Sequence, residues 1–345
     1  MANAPDLSVM VAGLELKNPV MAGSGEATMT AAGIRAALDA GAGAVVAKSV
    51  NESEAARRQL RGATYVLLDE HWNELPWGPA PRGASLFCRS GLVDEPFEPW
   101  VEILAGLDRE AASRDSYVVA SIIVADQAEA VRMARTFEQA GLRWLELNVA
   151  PPHGEEATPG AILSVEEPER VAALVRPVRD AIGIPLTVKL SAGGDPVGSA
   201  AAAFDAGASA VCLAGRSLGF LPDLRTRRPV LGTFGAVGGA WALPLTLRWI
   251  AKARARLGPN ANACLIGTNG ARDGFDVARF LLAGASAVQM TSAVITDGPE
   301  VLTRAVAELT DYLREQGRSA RSIIGEAADA VQSYEQATEE IAGRT

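Results

Sequence analysis

Lysines stand at the ends of two apolar runs, Lys48-Ser49 closing AVVAKS and Lys189 closing PLTVK. A lysine ending a buried strand must meet an anion or lose its proton, unless the strand end simply emerges at a rim. A third run, LELN, closes on Asn148 and passes through Pro151 and Pro152 into His153, one of only two histidines. Each proline ring fixes φ and pushes the preceding residue out of the helical region, so this strand exit is stiff. His153 titrates near neutrality and suits proton transfer, the plain alternative being a solvent-exposed loop residue. Cys88 can donate a proton or serve as a small apolar plug. Arg89 beside it can meet a carboxylate or phosphate or lie solvated at the surface. His71, amid the acids of DEHWNEL, reads as loop structure.

Glycine-rich turns accompany these groups: Ala22-Gly23-Ser24-Gly25, Ala214-Gly215 and Gly267-Thr268-Asn269-Gly270. Gly270 and a helix starting near Asp273 would offer backbone N–H groups, and Thr291-Ser292 would add hydroxyls. Together they predict a phosphate cradle.

The elements that must position these residues show as a recurring phrase: DAGAGAVVAKS, QAGLRWLELNV, DAGASAVCLAG and LAGASAVQMTS. Each starts at a helix end, places Gly at the C-cap and runs into a short apolar strand without alternation, which is half of a βα unit. Further strands bring the count to eight, at about 19–23, 44–48, 117–123, 143–148, 185–190, 209–214, 263–267 and 286–291. Eight strands alternating with helices predict an α/β chain folded as a (β/α)8 TIM barrel over 1–345, with an open doubly wound sheet as the alternative. In such a barrel the chemistry sits at the strand C-termini, where the residues above fall. Residues 51–100, with two tryptophans and three prolines crowded into TYVLLDEHWNELPWGPAPRG, read as an elaborated loop over that face.

A net charge of −9 gives no reason to expect nucleic acid or an anionic membrane surface. The three cysteines, Cys88, Cys212 and Cys264, lack metal-cluster spacing, so no metal and a reduced, cytoplasmic setting are expected. The first residues lack a basic start and a signal-length apolar core, and no run reaches membrane-spanning length.

Taken together, LKNPVMAGSG, AKS, ELN, PLTVKL, FGAVGGAWALP, IGTNG and AVQMTSAV resemble the class 1 dihydroorotate dehydrogenases, over nearly the whole chain. That resemblance implies FMN across the barrel mouth. Ala22, Gly23, Ser24, Lys48, Ser49, Asn148, Lys189 and Gly215 would approach the flavin, with Lys189 stabilising the reduced ring's negative charge. Gly238, Gly239, Asn269, Gly270, Thr291 and Ser292 would hold the ribityl phosphate, although the position of Asn269 is usually glycine in the family. The substrate would meet Lys48, Phe87, Cys88, Arg89, Ser90, Gly91, Asn148 and His153.

The resemblance also exposes a departure. The family's strand-four segment reads Asn-Leu-Ser-Cys-Pro-Asn with Cys, or Ser, as the base; here Pro151 stands at that position, and amide-bearing positions nearby are replaced. The expected activity is an FMN-dependent oxidoreductase forming or reducing an activated C=C bond on a non-pyrimidine, specialised substrate. His153, Cys88 and Lys48 are the candidate catalytic groups. A redox-neutral flavin isomerase or lyase and a non-catalytic homologue are the alternatives. The electron donor or acceptor is left open, and a homodimer is expected.

Overall fold

The computed structural model describes residues 4–51, 53–149, 165–258, 263–336 and 338. In chain order the first seven strands are β1 (Val9–Val11), β2 (Leu14–Leu16), β3 (Val20–Ala22), β4 (Ala44–Val46), β5 (Thr64–Leu68), β6 (Ser85–Arg89) and β7 (Tyr117–Ile123). They are followed by β8 (Leu145–Asn148), β9 (Leu186–Lys189), β10 (Ala210–Leu213), β11 (Ser217–Gly219), β12 (Gly235–Gly239), β13 (Leu265–Thr268) and β14 (Ala287–Met290).

Eight of these close a parallel barrel in the order β10-β13-β14-β3-β4-β7-β8-β9. They are the eight runs expected from the sequence, with ends shifted by a few residues; β4 stops at Val46, so Lys48 lies beyond the strand rather than in it. Barrel strands read as unbroken apolar runs because interior and helix layer bury both faces, as in the fully buried AVV of β4 and AVCL of β10. The outer helices are amphipathic. The helix Glu300–Gln316 buries Val301, Leu302, Ala305, Leu309 and Leu313, one stripe at helical spacing. Side-chain caps fix where helices begin: Thr30 accepts from Gly33 N–H, Asp126 from Glu129 and Asp195 from Gly198. The β1–β2 hairpin lies at the amino end of the barrel, its Ala12 N–H donating to Cys264 Sγ just before β13.

The stretch 51–100 is not an irregular loop. It holds the helix Glu54–Gln59 and strands β5 and β6, which join β11 and β12 in a four-stranded antiparallel sheet, β11-β12-β6-β5. One face packs Val66, Leu68, Phe87 and Leu231, the other Leu67, Ala84 and Leu86. With both faces partly covered, the strands show no clean alternation. The pairing that unites them, Phe87 with Val237, spans 150 positions and leaves no local trace. This sheet walls one side of the barrel mouth.

Candidate active site

The carboxyl ends of the barrel strands surround a cavity of about 980 Å³, counting the space open to solvent. Its wall brings together Ser24, Lys48, Ser49, Ser90, Gly91, Asn148, Lys189, Gly215, Asn269, Gly270, Thr291 and Ser292. Parallel register sets Asn148 of β8 beside Lys189 of β9. The helix Glu54–Gln59 closes one flank through Ala56 and Leu60, packed on Leu92 and Ile123.

Lys189 is held from below. Its Nζ donates to Gln289 Oε1 at 2.7 Å and lies 3.7 Å from Glu146 Oε1, while Gln289 Nε2 donates to Glu146 Oε2 at 2.7 Å. Glu146 on β8 and Gln289 on β14 belong to opposite strands, so they can meet only through the barrel interior. Glu146 also accepts from Ser121, which is bonded to Ser49 at 2.9 Å. A polar layer therefore crosses the barrel directly under the cavity, its Glu146, Gln289, Ser121 and Ser49 buried and hydrogen-bonded to one another, with Lys189 reaching the cavity.

A second network lies on the side of the outer sheet. Lys48 Nζ donates to Glu26 Oε1 at 2.7 Å, Gly91 N–H donates to the same oxygen at 3.2 Å, and Tyr65 OH donates to Glu26 Oε2. Burial opposes ionisation of Glu26, but the Lys48 charge and the hydrogen bonds from Lys48 and Tyr65 outweigh it and hold the carboxyl below its usual range. Tyr65 and Cys88 are register partners on β5 and β6, and Cys88 Sγ lies 2.5 Å from Arg216 Nη1. Burial pushes the Cys88 thiol up.

Several expected contacts are placed differently. Cys88 sits fully buried in strand β6, not on a closing loop, and reaches the cavity only through Arg216. Phe87 points into the core of the outer sheet, and Arg89 ends β6 without joining the wall. Gly238 and Gly239 belong to β12, where Gly238 backs Asn269 and Arg216. Ala22 and Gly23 lie beneath the wall; a Cβ on Gly23 would come within 2.1 Å of Thr291 Oγ1, so glycine lets that hydroxyl approach.

Two of the first N–H groups of the helix Gly274–Leu282 are already engaged, because Asp273 accepts from Asp276 N–H and Glu308 from Gly274 N–H. Of the residues expected to form a phosphate cradle, Asn269 and Gly270 in the turn and Thr291 and Ser292 line the cavity. Pro151 and His153 lie outside the described residues.

Glu26, Tyr65, Glu146, Arg216 and Gln289 escaped the sequence reading. The signal for two of them was present: Glu146 in LELN and Gln289 in AVQM are polar residues inside otherwise apolar strands, a pattern that marks a paired interior group.

A family model for dihydroorotate dehydrogenase matches residues 82–313. The chain belongs to the dihydroorotate dehydrogenase family. The catalytic subunit of dihydroorotate dehydrogenase B (NAD(+)) of Geobacter metallireducens is 31% identical over 91% of this chain and 95% of its own. Its counterpart in Methanothermobacter thermautotrophicus is 30% identical over 91% and 95%. Dihydroorotate dehydrogenase family members are FMN-dependent flavoproteins, and this chain is a flavin-dependent oxidoreductase on the same barrel.

The residues present fit FMN. Asn269 lines the cavity with its Oδ1 buried and without a donor, in a turn whose φ values of +64° at Asn269 and +116° at Gly270 bend the backbone around the space. Lys189 supplies a cation held at a fixed point of the wall.

Proposed function

We propose that this protein forms or reduces an activated C=C bond in a non-pyrimidine substrate, with FMN as its redox group. Bound flavin supplies hydride acceptance and donation at the carbon β to a carbonyl. Lys189, fixed by Gln289 and Glu146, would face the ring and favour its negatively charged reduced form. Asn148 beside it would orient ring or substrate by its amide. Gly270, Thr291 and Ser292 would bind the ribityl phosphate.

The observation that carries the substrate reading is the internal carboxylate of Glu26. It engages Lys48 Nζ, Gly91 N–H and Tyr65 OH, so these donors already face the protein's own anion. A pyrimidine ring would have to compete with Glu26 for them or leave its ring carbonyls unpaired. Proline at position 151 removes an ionisable group from the place where the family carries its base.

The test is turnover of dihydroorotate with NAD(+), the oxidant named for the relatives. FMN-loaded enzyme should show no oxidation above background, and Pro151→Cys alone should not restore it, since a base is normally worth about 10²–10⁴-fold only when the substrate is gripped. Oxidation of dihydroorotate at an ordinary enzymatic rate by the wild type overturns this reading.

A further inference from the structure

Arg216 stands three residues beyond β10, and its side chain forms part of the cavity wall. Its guanidinium touches Cys88 Sγ and lies 5.9 Å from the centre of the Tyr65 ring. Neither partner is a carboxylate, and among the described residues no carboxylate oxygen lies within 4.0 Å of it. The other two cations of the cavity are neutralised, Lys48 by Glu26 at 2.7 Å and Lys189 by Glu146 at 3.7 Å. Three cations thus stand against two carboxylates, and the surplus charge belongs to Arg216. Glu26, whose charge reaches Arg216 as well as Lys48, cannot neutralise both; a desolvated guanidinium with only a shared counter-ion is costly, and a planar fork of donors matches a carboxylate in two parallel hydrogen bonds.

The Arg216 nitrogens are not among the buried atoms left without a partner, so its remaining N–H groups are not sealed into the wall. A neighbouring recess points the same way. It shares Leu60 and Leu92 with the main cavity and is lined by Arg57, Arg58 and Arg61, with Glu54 and Asp94 as its acids. Arginines along an approach raise the local concentration of anions.

We propose that Arg216 is the anion seat of the substrate site, taking a carboxylate carried by the substrate on the side of the cavity formed by the outer sheet. Glu26 keeps Lys48 from competing for the same group. The assignment rests on the oxidoreductase reading above and adds the charge of the substrate and the residue that selects it.

The experiment uses FMN-loaded protein and reads binding from perturbation of the flavin absorbance, without turnover. The probes are fumarate, its uncharged diamide, and inorganic phosphate. Wild type should bind fumarate more tightly than the diamide. Arg216→Met, which keeps the stem length and removes the fork, should weaken fumarate about 10–100-fold while leaving the diamide and the FMN content unchanged. Arg216→Lys, which keeps the charge without the fork, should fall between, and it decides the matter should the methionine variant not fold.

Equal fumarate affinity in wild type and variant overturns the proposal, as does a wild type that binds no fumarate at millimolar concentration. Phosphate binding more tightly than fumarate overturns the carboxylate assignment. Loss of FMN on substitution would make Arg216 a cofactor residue and overturn it too. Dihydroorotate turnover would instead sink the oxidoreductase reading on a non-pyrimidine substrate, leaving the fumarate titration to judge Arg216 separately.

Discussion

In the proposed function Lys189 is the side chain on which the flavin chemistry would depend most directly, and its position is set by residues it shares with no loop. Gln289 and Glu146 lie on opposite strands of the barrel, so any breathing of a mouth loop leaves the ammonium where it is. Lys189→Ala should make reduced FMN less stable by about 1–3 kcal/mol, read as a lower reduction potential of the bound flavin. An unchanged potential would remove Lys189 from the flavin. Glu26 carries a different expectation, because its carboxyl is held below the usual range by Lys48 and Tyr65 against the cost of burial. A depressed folded pKa adds stability that is complete above about pH 4.3, the ordinary glutamate value, and is lost as pH falls through the depressed one. Glu26→Gln should therefore destabilise the protein near neutrality by about 3 kcal/mol, leaving Lys48 buried without its partner. In thermal melts the gap between wild type and variant should close below about pH 4; a gap constant from pH 7 to pH 3 would contradict the pairing. The lysines and Asn148 were legible in the sequence because charge or amide at an apolar strand end is conspicuous. Glu26, Tyr65 and Arg216 were not, since each comes from a different excursion and only the fold brings them together.

Strands and turns are legible to different depths. The barrel strands announce themselves because burial on both faces demands unbroken apolar runs; four of the eight follow a glycine helix cap in a recurring phrase, and the other four show as apolar runs alone. The outer sheet is hidden, because β6 takes partners from both sides that lie far away in sequence and its residues share no single face. The turn at Asn269 and Gly270 was legible as a turn, whereas the helix end after it is already partly occupied, for Asp273 and Glu308 accept from two of its N–H groups. Gly270 is the position in this turn that tolerates least. At φ +116° an added Cβ would lie 2.7 Å from both the N and Cα of Leu243, so strain and backbone collision coincide. Gly270→Ala should cost about 1–3 kcal/mol in unfolding free energy and weaken FMN uptake. Gly62→Ala is the control: its φ is +73° but nothing lies within 4 Å, so about 1 kcal/mol of backbone penalty is expected and no change in FMN. Equal effects of the two substitutions on FMN binding would show that the turn does not touch the cofactor.

At the scale of the whole molecule, the outer sheet does more than wall the cavity. Its connections and flanks leave Trp72, Trp77, Leu218, Phe220, Phe234, Trp241 and Leu245 exposed, with the rings of Phe220 and Phe234 tilted against each other, centroids 5.6 Å apart. Single exposed apolar residues are ordinary on a protein surface, but their concentration on the two excursions that build one sheet leads us to expect a partner there. The partner expected here is a second copy, because a two-fold contact pairs one patch with itself and needs no other protein. Each chain carries a net charge of −9, so two copies repel and the association must come from apolar burial, of the order of 1,200–2,000 Å² for a stable contact. That balance fixes the sign of the salt effect: screening weakens the repulsion and leaves the apolar term, so the dimer should tighten as ionic strength rises. Light scattering at micromolar concentration should give twice the 35.9 kDa chain mass, and Phe220→Ser with Phe234→Ser should shift it toward one chain without loss of FMN. A single-chain mass for the wild type, or a dimer that loosens in salt, would show that this face is not where two copies meet.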